Sequence, residues 1–288
     1  MNRILKGLAV IVLMVCLQMV VYSFFIEPYT HSWGASKAEV NMTMSGDSLA
    51  PSISSTRAIT INAPVMTVWY WIIQLGADRG GFFSYTFIEN ALGYEGRIPG
   101  KPFPEFTEMT KERVIPGAID GNKPIIDYSW PVLLVEPGKS FVLKNWGAFE
   151  VAPIDDERTR LIVRTHGRDP STIMERIRYF FIMPLHYIME RRMLVGFKSC
   201  AETGQHLSSV PDAIWFLGIV LSFAGLILLA FIANGIQRFY LSGGLGLLWL
   251  LPLLIVAPSP VYSLPMLVIV IVVNAMLLLK NRHPPLTN

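Results

Sequence analysis

Thr56-Arg57-Ala58-Ile59-Thr60-Ile61-Asn62-Ala63-Pro64 sits where the pattern of the chain changes period. From Arg57 to Asn62 the residues alternate, with Ile59 and Ile61 on one face and Ala58 and Thr60 on the other, which is the pattern of a β-strand. Asn62 then suits a helix N-cap, and Pro64 suits a first turn. Val65, Val68, Trp69, Ile72 and Ile73 follow at helical spacing and form one apolar stripe, opposite Thr67, Tyr70 and Gln74. Gly76 is placed to end that helix. A strand that feeds directly into a helix starts the domain.

Downstream, Ala77-Asp78-Arg79-Gly80-Gly81-Phe82-Phe83-Ser84-Tyr85 leads into a short helix from Thr86 to Leu92. Residues 93–127 are rich in glycine and proline and predict long loops with a short strand near 113–115. Residues 132–136, 140–144, 146–152 and 158–165 read as four strands, with Pro137-Gly138 at the first turn and Asp155-Asp156-Glu157 at the last. Strands so closely spaced have no room for crossover helices, so the sheet is antiparallel. In the last strand Leu161, Val163 and Thr165 share one face, and Arg160, Ile162 and Arg164 share the other.

A long helix follows. Thr172 and Glu175 have capping-box spacing, helical character extends to about Glu202, and Pro184 predicts a kink. Ile173, Ile177, Phe181, Leu185, Ile188 and Met189 fall broadly on one side, while Arg176, Arg178, Glu190, Arg191 and Arg192 are expected at the polar surface. A twisted sheet closed by one long helix leaves room for a cavity between them, with aromatic and methionine walls.

Outside this domain the chain is of a different character. Apolar residues make up 52 % of the 288 residues, charged residues only 16 %, and the mean hydropathy is +0.45. An ordinary soluble domain carries about 25 % charged residues. All 21 acidic and 19 of the 24 basic residues lie between Glu27 and Asp212, a net −2, whereas Arg3, Lys6, Arg238, Lys280 and Arg282 give the acid-free flanks +5. The small overall charge of +3 does not suggest a nucleic-acid partner. Two cysteines, Cys16 and Cys200, make no disulfide framework.

Residues 8–26 and 213–233 are uncharged runs of 19 and 21 residues, long enough to cross a bilayer as helices. Residues 241–257 and 263–279 are 17 each, contain Pro252 and Pro265, and read as a hairpin of spanning helices or as a re-entrant pair. The first run has the basic start of a signal peptide, but its apolar stretch is long and no small-x-small site closes it, so an uncleaved anchor is expected. Positive-inside counting over four crossings puts both termini in the cytoplasm and the middle domain outside the cytoplasmic membrane. Gln18 and Asn274 are the deepest polar side chains and are expected to make interhelical hydrogen bonds. The runs hold no ionisable group at depth, which argues against a pump or channel. The organisation is an anchor over residues 1–28, a lead-in linker over 29–55, the α+β domain over 56–205 and about three spans within 213–281.

Several segments resemble the START/Bet v 1-like superfamily, in particular its SRPBCC (polyketide cyclase/dehydrase-like) branch with a membrane helix: residues 56–64 with Val68-Trp69, Arg79-Gly80-Gly81-Phe82-Phe83-Ser84-Tyr85, and Thr159-Arg160-Leu161-Ile162-Val163-Arg164. Trp33-Gly34-Ala35, Glu39-Val40, Gly46-Asp47 and Met189-Glu190-Arg191-Arg192-Met193 add to it. The resemblance covers residues 30–203 and implies a helix-grip fold, an antiparallel sheet wrapped on a long C-terminal helix. Thr86-Phe87 stands where such proteins often have Asp-Trp, so a role for that acid is missing here. The superfamily's functions are too varied for the resemblance to choose one.

The candidate ligand-binding residues are Trp69, Arg79, Phe83, Tyr85, Trp146, Phe181, His186 and Glu190. Arg79 and Tyr85 flank the glycines and would hold a polar head, or else Arg79 makes a structural ion pair and Tyr85 belongs to the core. His186 and Glu190 are one turn apart and form either an acid–base pair or a polar contact on the helix. Trp69, Phe83, Trp146 and Phe181 are cavity walls or plain core. The five histidines have no metal-ligand spacing, there is no G-x-S-x-G elbow, and no cofactor is indicated. The leading expectation is a membrane-tethered module that binds an apolar small molecule or lipid. A cyclase, dehydratase or isomerase acting in the cavity, and a scaffold for a protein partner, stand beside it.

Overall fold

A computed structural model describes residues 3–49, 52–93, 108–118, 129–167 and 170–282. In chain order its helices are α1 (Arg3–Val21), α2 (Glu27–His31), α3 (Lys37–Asn41), α4 (Val65–Ile72), α5 (Thr86–Ala91), α6 (Ile173–Thr203), α7 (Ser209–Ile232), α8 (Gln237–Leu250) and α9 (Pro260–Arg282). The strands are β1 (Ser52–Ile61), β2 (Val114–Pro116), β3 (Ser129–Glu136), β4 (Ser140–Leu143), β5 (Gly147–Pro153) and β6 (Thr159–Gly167). The chain divides into two compact units, Tyr29–Ser209 and a second made of Met1–Pro28 with Val210–Asn288.

The first unit is α+β. Its six strands form one antiparallel sheet in the order β1-β6-β5-β4-β3-β2. The first and last strands to read clearly in the sequence pair with each other, Arg57 opposite Val163 and Ile59 opposite Leu161. The four-strand meander, the short strand near residue 114 and the short helix from Thr86 all lie where the sequence places them. The loops expected over 94–107 and 119–128 lie outside the described residues.

One face of the sheet, through Phe141, Phe149, Leu161 and Val163, packs against Trp69 and Ile72 of α4 and Met193, Leu194, Phe197 and Cys200 of α6. Among the described residues this layer is filled by side chains, so the open space expected between sheet and long helix is not at the level of Met193–Cys200. Gln74, expected opposite the apolar stripe, is buried as well.

The other face of β1 and β6 is also covered. Met44 packs with Ala58, Val142, Ala148 and Ile162. The lead-in is therefore part of the fold rather than a linker. Ser36 and Glu39 form a capping box that starts α3. At its far end Arg164, fully buried in the sheet, donates to the carbonyls of Glu39, Val40 and Met42 and ion-pairs with Asp47 at 2.6 Å. Four residues back along the strand at Arg160, a bidentate pair with Glu39 (2.6 and 3.0 Å) holds the same segment and keeps that carboxyl down at about 2. Two arginines on one strand face thus become the rivets of a second layer.

The α6 capping box forms as expected, Glu175 N–H donating to the Thr172 hydroxyl at 3.1 Å, and the helix runs unbroken through Pro184. Its faces are in part the reverse of expectation, although Ile188 is buried. Glu190, Arg191 and Arg192 are buried, and Ile173, Ile177, Phe181, Leu185 and Met189 are exposed; Arg176 and Arg178 are at the surface as expected.

The second unit carries four helices long and apolar enough to cross a membrane: Arg3–His31, Ser209–Ile232, Gln237–Ile255 and Pro260–Asn281. Its core gathers Met14, Leu226, Met266 and Val270. The two deep polar residues bridge helices, Gln18 donating to the Gly246 carbonyl at 2.8 Å and Asn274 to that of Gly225 at 3.1 Å. Trp215 donates to the carbonyl of Pro252, just past the end of α8, at 2.9 Å. Gly218 and Gly225 let α9 come close, because a Cβ there would meet Ser263 at 2.7 Å and Val270 at 2.4 Å.

Candidate functional site

The site grows out of the segment that follows α4. Gly76 and Gly81 pair back to back, N–H to carbonyl at 3.0 and 2.9 Å, and both adopt positive φ, which a glycine takes without strain. The fold-back buries Arg79 inside its own loop, where Nη1 donates to the Ile73 carbonyl at 3.0 Å and covers the end of α4. Burial, with Arg113 nearby, lowers the Arg79 guanidinium to about 10 against the opposing pull of Asp78. Its Nε lies 3.8 Å from the Asp78 carboxylate, within the same loop.

Phe83 leaves this loop at φ +56, an unusual conformation for a residue with a side chain. Its ring stacks on His206 (5.2 Å, 15°) and leans on Phe197 (4.5 Å). Gly196 permits the approach, since a Cβ there would stand 2.4 Å from the Phe83 carbonyl oxygen. Next, Ser84 donates to the Met189 carbonyl at 3.1 Å, tying the loop to α6.

These contacts leave a cavity of about 400 Å³ at the flank of the core. It is lined by the Gly80–Asn90 segment, by Arg192 and Gly196 of α6 and by His206 to Ser209. Phe83, Phe87 and Leu207 supply apolar wall; Ser84, Glu89, Arg192 and His206 supply polar groups. Glu89, on α5, is 6 % exposed, and its Oε1 meets no hydrogen-bond donor among the described residues. Burial raises its carboxyl to about 7, with Arg192 pulling the other way. The Arg192 guanidinium itself lies over the Tyr85 ring at 5.9 Å.

Of the eight residues expected from the sequence, the structure brings only Phe83 to this cavity. Tyr85 sits just behind it, buried under Arg192. Trp69 is core. Trp146 belongs to an aromatic cluster with Trp130 (4.8 Å), Phe149 (5.9 Å) and Phe82 (6.2 Å). Phe181, expected as a cavity wall, is on the exposed side of α6, because the charged triplet Glu190 to Arg192 and not the apolar stripe turns inward.

His186 and Glu190 do meet, Nδ1 to Oε2 at 3.5 Å, but Glu190 is already occupied. Arg57 pairs with it at 2.9 Å and the Thr165 hydroxyl donates to it at 2.7 Å. Burial pushes this carboxyl up, and Arg57, His186 and Thr165 together overcome that and hold it below its ordinary value. Burial likewise lowers the His186 imidazole, against the pull of Glu190. Arg57 also donates to the Thr30 carbonyl at 2.7 Å and lies over Tyr187 at 5.3 Å, while Arg191 lies over Trp33 at 5.1 Å. This is a closed structural knot that joins β1, β6, α6 and the start of the unit.

Glu89, Arg192 and His206 escaped the sequence reading. Three consecutive charged residues at 190–192 inside an apolar helix were the available signal, since one helix cannot turn all three to the same surface. Among the described residues no cluster of three His, Cys, Asp or Glu side chains could hold a metal ion. No protein-family model matches the chain, and neither a curated protein nor a solved structure matches it either.

Proposed function

We propose that the chain is a membrane-tethered binding module for an apolar or amphipathic small molecule, such as a lipid, with its α+β unit a helix-grip domain of the SRPBCC kind. The four apolar helices would cross the cytoplasmic membrane and hold the unit on its outer side, where tethering raises the effective concentration of membrane-derived ligands. The observation that carries the reading is the cavity beside Phe83, whose wall combines Phe83, Phe87 and Leu207 with Glu89, Arg192 and Ser84. A mixed wall of that kind suits a molecule with a greasy body and one polar end. The element order supports the fold reading: strand, two short helices, antiparallel strands, long helix.

The test is to purify the full chain in a mild detergent and extract it for native mass spectrometry. A discrete copurifying compound is expected, and Leu207→Trp, at the cavity's exposed rim, is expected to displace it. Preparations that are repeatedly empty, or a compound retained in full by Leu207→Trp, would refute the assignment of this cavity.

One observation favours a catalytic reading beside it. A buried carboxyl at about 7 facing a cavity is suited to act as a general acid or base near neutral pH. An enzyme would leave product on the wild-type protein and substrate on Glu89→Gln. The same compound on both removes that reading and leaves the binding module.

A further inference from the structure

The first half of α6 shows solvent the wrong face for a helix of a soluble unit. Ile173 is 78 % exposed and Phe181 54 %, and Met174, Ile177, Leu185 and Met189 are exposed with them. Ile173, Ile177, Phe181 and Leu185 recur every four residues, so they form one stripe along the helix. Soluble monomers rarely leave contiguous apolar patches beyond a few hundred Å² uncovered.

The charges beside the stripe narrow what it meets. Between Ile173 and Met189 the only acid is Glu175, whose carboxylate accepts from Ser171 and from the Thr172 backbone at the helix start. The cations Arg176 and Arg178 are both exposed. Long arginine stems lie along apolar surface and lift their heads to the level of phosphates. A helix that is apolar on one side and cationic at its borders is complementary to an anionic lipid interface. The same chain supplies apolar helices at both ends of the unit, one closing at His31 and one opening at Ser209.

We propose that the Ile173–Met189 half of α6 lies in the headgroup region of a lipid bilayer, with the Ile173-Ile177-Phe181-Leu185 stripe toward the acyl chains and Arg176 and Arg178 at the phosphates. This rests on the reading that the apolar helices cross a membrane. The stripe ends at Met189, whose carbonyl receives Ser84 from the cavity wall, and Arg192 lines the cavity one turn on. The stripe therefore ends beside the cavity wall.

The test uses the full chain with Cys16→Ser and Cys200→Ala, reconstituted in nanodiscs of phosphatidylcholine and phosphatidylglycerol. Single spin labels are placed at Leu185→Cys on the stripe, Asp156→Cys on the exposed turn before β6 and Val12→Cys on α1. The expected result is an oxygen-to-nickel accessibility ratio at Leu185 several-fold above that at Asp156 and approaching that at Val12. A lipid-like ratio at Val12 with a water-like ratio at Leu185 overturns this inference alone. A water-like ratio at Val12 overturns the membrane reading and this inference with it. Label-to-label broadening at Leu185 assigns the stripe to a second copy of the chain and also overturns it.

Discussion

Replacing Glu89 by glutamine should make the α+β unit more stable, and only above a definite pH. The side chain is almost fully buried, and its carboxyl rises from 4.5 to about 7. The folded state therefore prefers the protonated form. Its stability is fully present below about pH 4.5, is lost as the pH climbs toward 7, and stays reduced above that. At about 1.4 kcal/mol per pH unit, the interval corresponds to about 3 kcal/mol. Glutamine fills the same volume and has no proton to lose.

The Glu89→Gln variant should therefore match wild type near pH 4.5 and exceed it by about 3 kcal/mol at pH 8. For a unit of this size that is a rise in Tm of about 6–12 °C. The assay follows reaction of the buried Cys200 thiol with a fluorogenic reagent on heating, in the full chain carrying Cys16→Ser. Cys200 sits in the core of this unit, so its exposure reports the unfolding of this unit and not of the apolar helices. A variant less stable than wild type at pH 8, or a difference that does not change with pH, would mean that the carboxylate is ionised and held by Arg192, and the site assignment built on it would fall.

Two further outcomes test the frame around the site. Glu190→Gln leaves the buried Arg57 guanidinium without its carboxylate and should cost about 3–5 kcal/mol, most of it recovered when Arg57→Met is combined with Glu190→Leu; a double-mutant cycle measured by the same thiol assay checks this. Because the Glu190 carboxyl sits below its ordinary value, its support is present at neutral pH and should fade as the pH drops below about 4.5, the opposite direction to Glu89. Gly147→Ala places a Cβ 2.0 Å from the Arg164 carbonyl at φ +154, so β5 and β6 must part; a loss of at least about 1–3 kcal/mol is expected in thermal unfolding.

The sheet was legible because each strand carries its own evidence. Ile59 and Ile61, or Leu161 and Val163, alternate within a few residues, and Pro137-Gly138 marks a turn without reference to anything distant. The α6 start was legible for the same reason, since Thr172 and Glu175 cap it locally. The outer layer was less so. Nothing near Arg164 says that its partners are carbonyls 122 to 125 residues earlier. The cavity was the least legible, because its wall is drawn from residues near 83, 192 and 206 and no short window holds all three. The orientation of α6 failed for a further reason. The usual rule sends charged residues outward, and it inverts here because arginine, hydroxyl and aromatic partners wait inside.

Three carboxylates of this unit separate structure from site. Glu39 is met by Arg160 at 2.6 Å and Glu190 by Arg57 at 2.9 Å, and both carboxyls are lowered. Each strengthens the fold at neutral pH, and each ties together elements far apart in the sequence. Glu89 is treated differently. Arg192 lowers it by less than burial raises it, and the carboxyl rises. A residue that weakens the fold at neutral pH serves packing poorly, since glutamine or methionine would fill the place at lower cost. What Glu89 offers instead is a proton, held near neutrality and presented to a cavity, to whatever polar group enters there. The two lowered carboxyls belong to the scaffold, and on the proposed reading the raised one is where a ligand's polar end would sit.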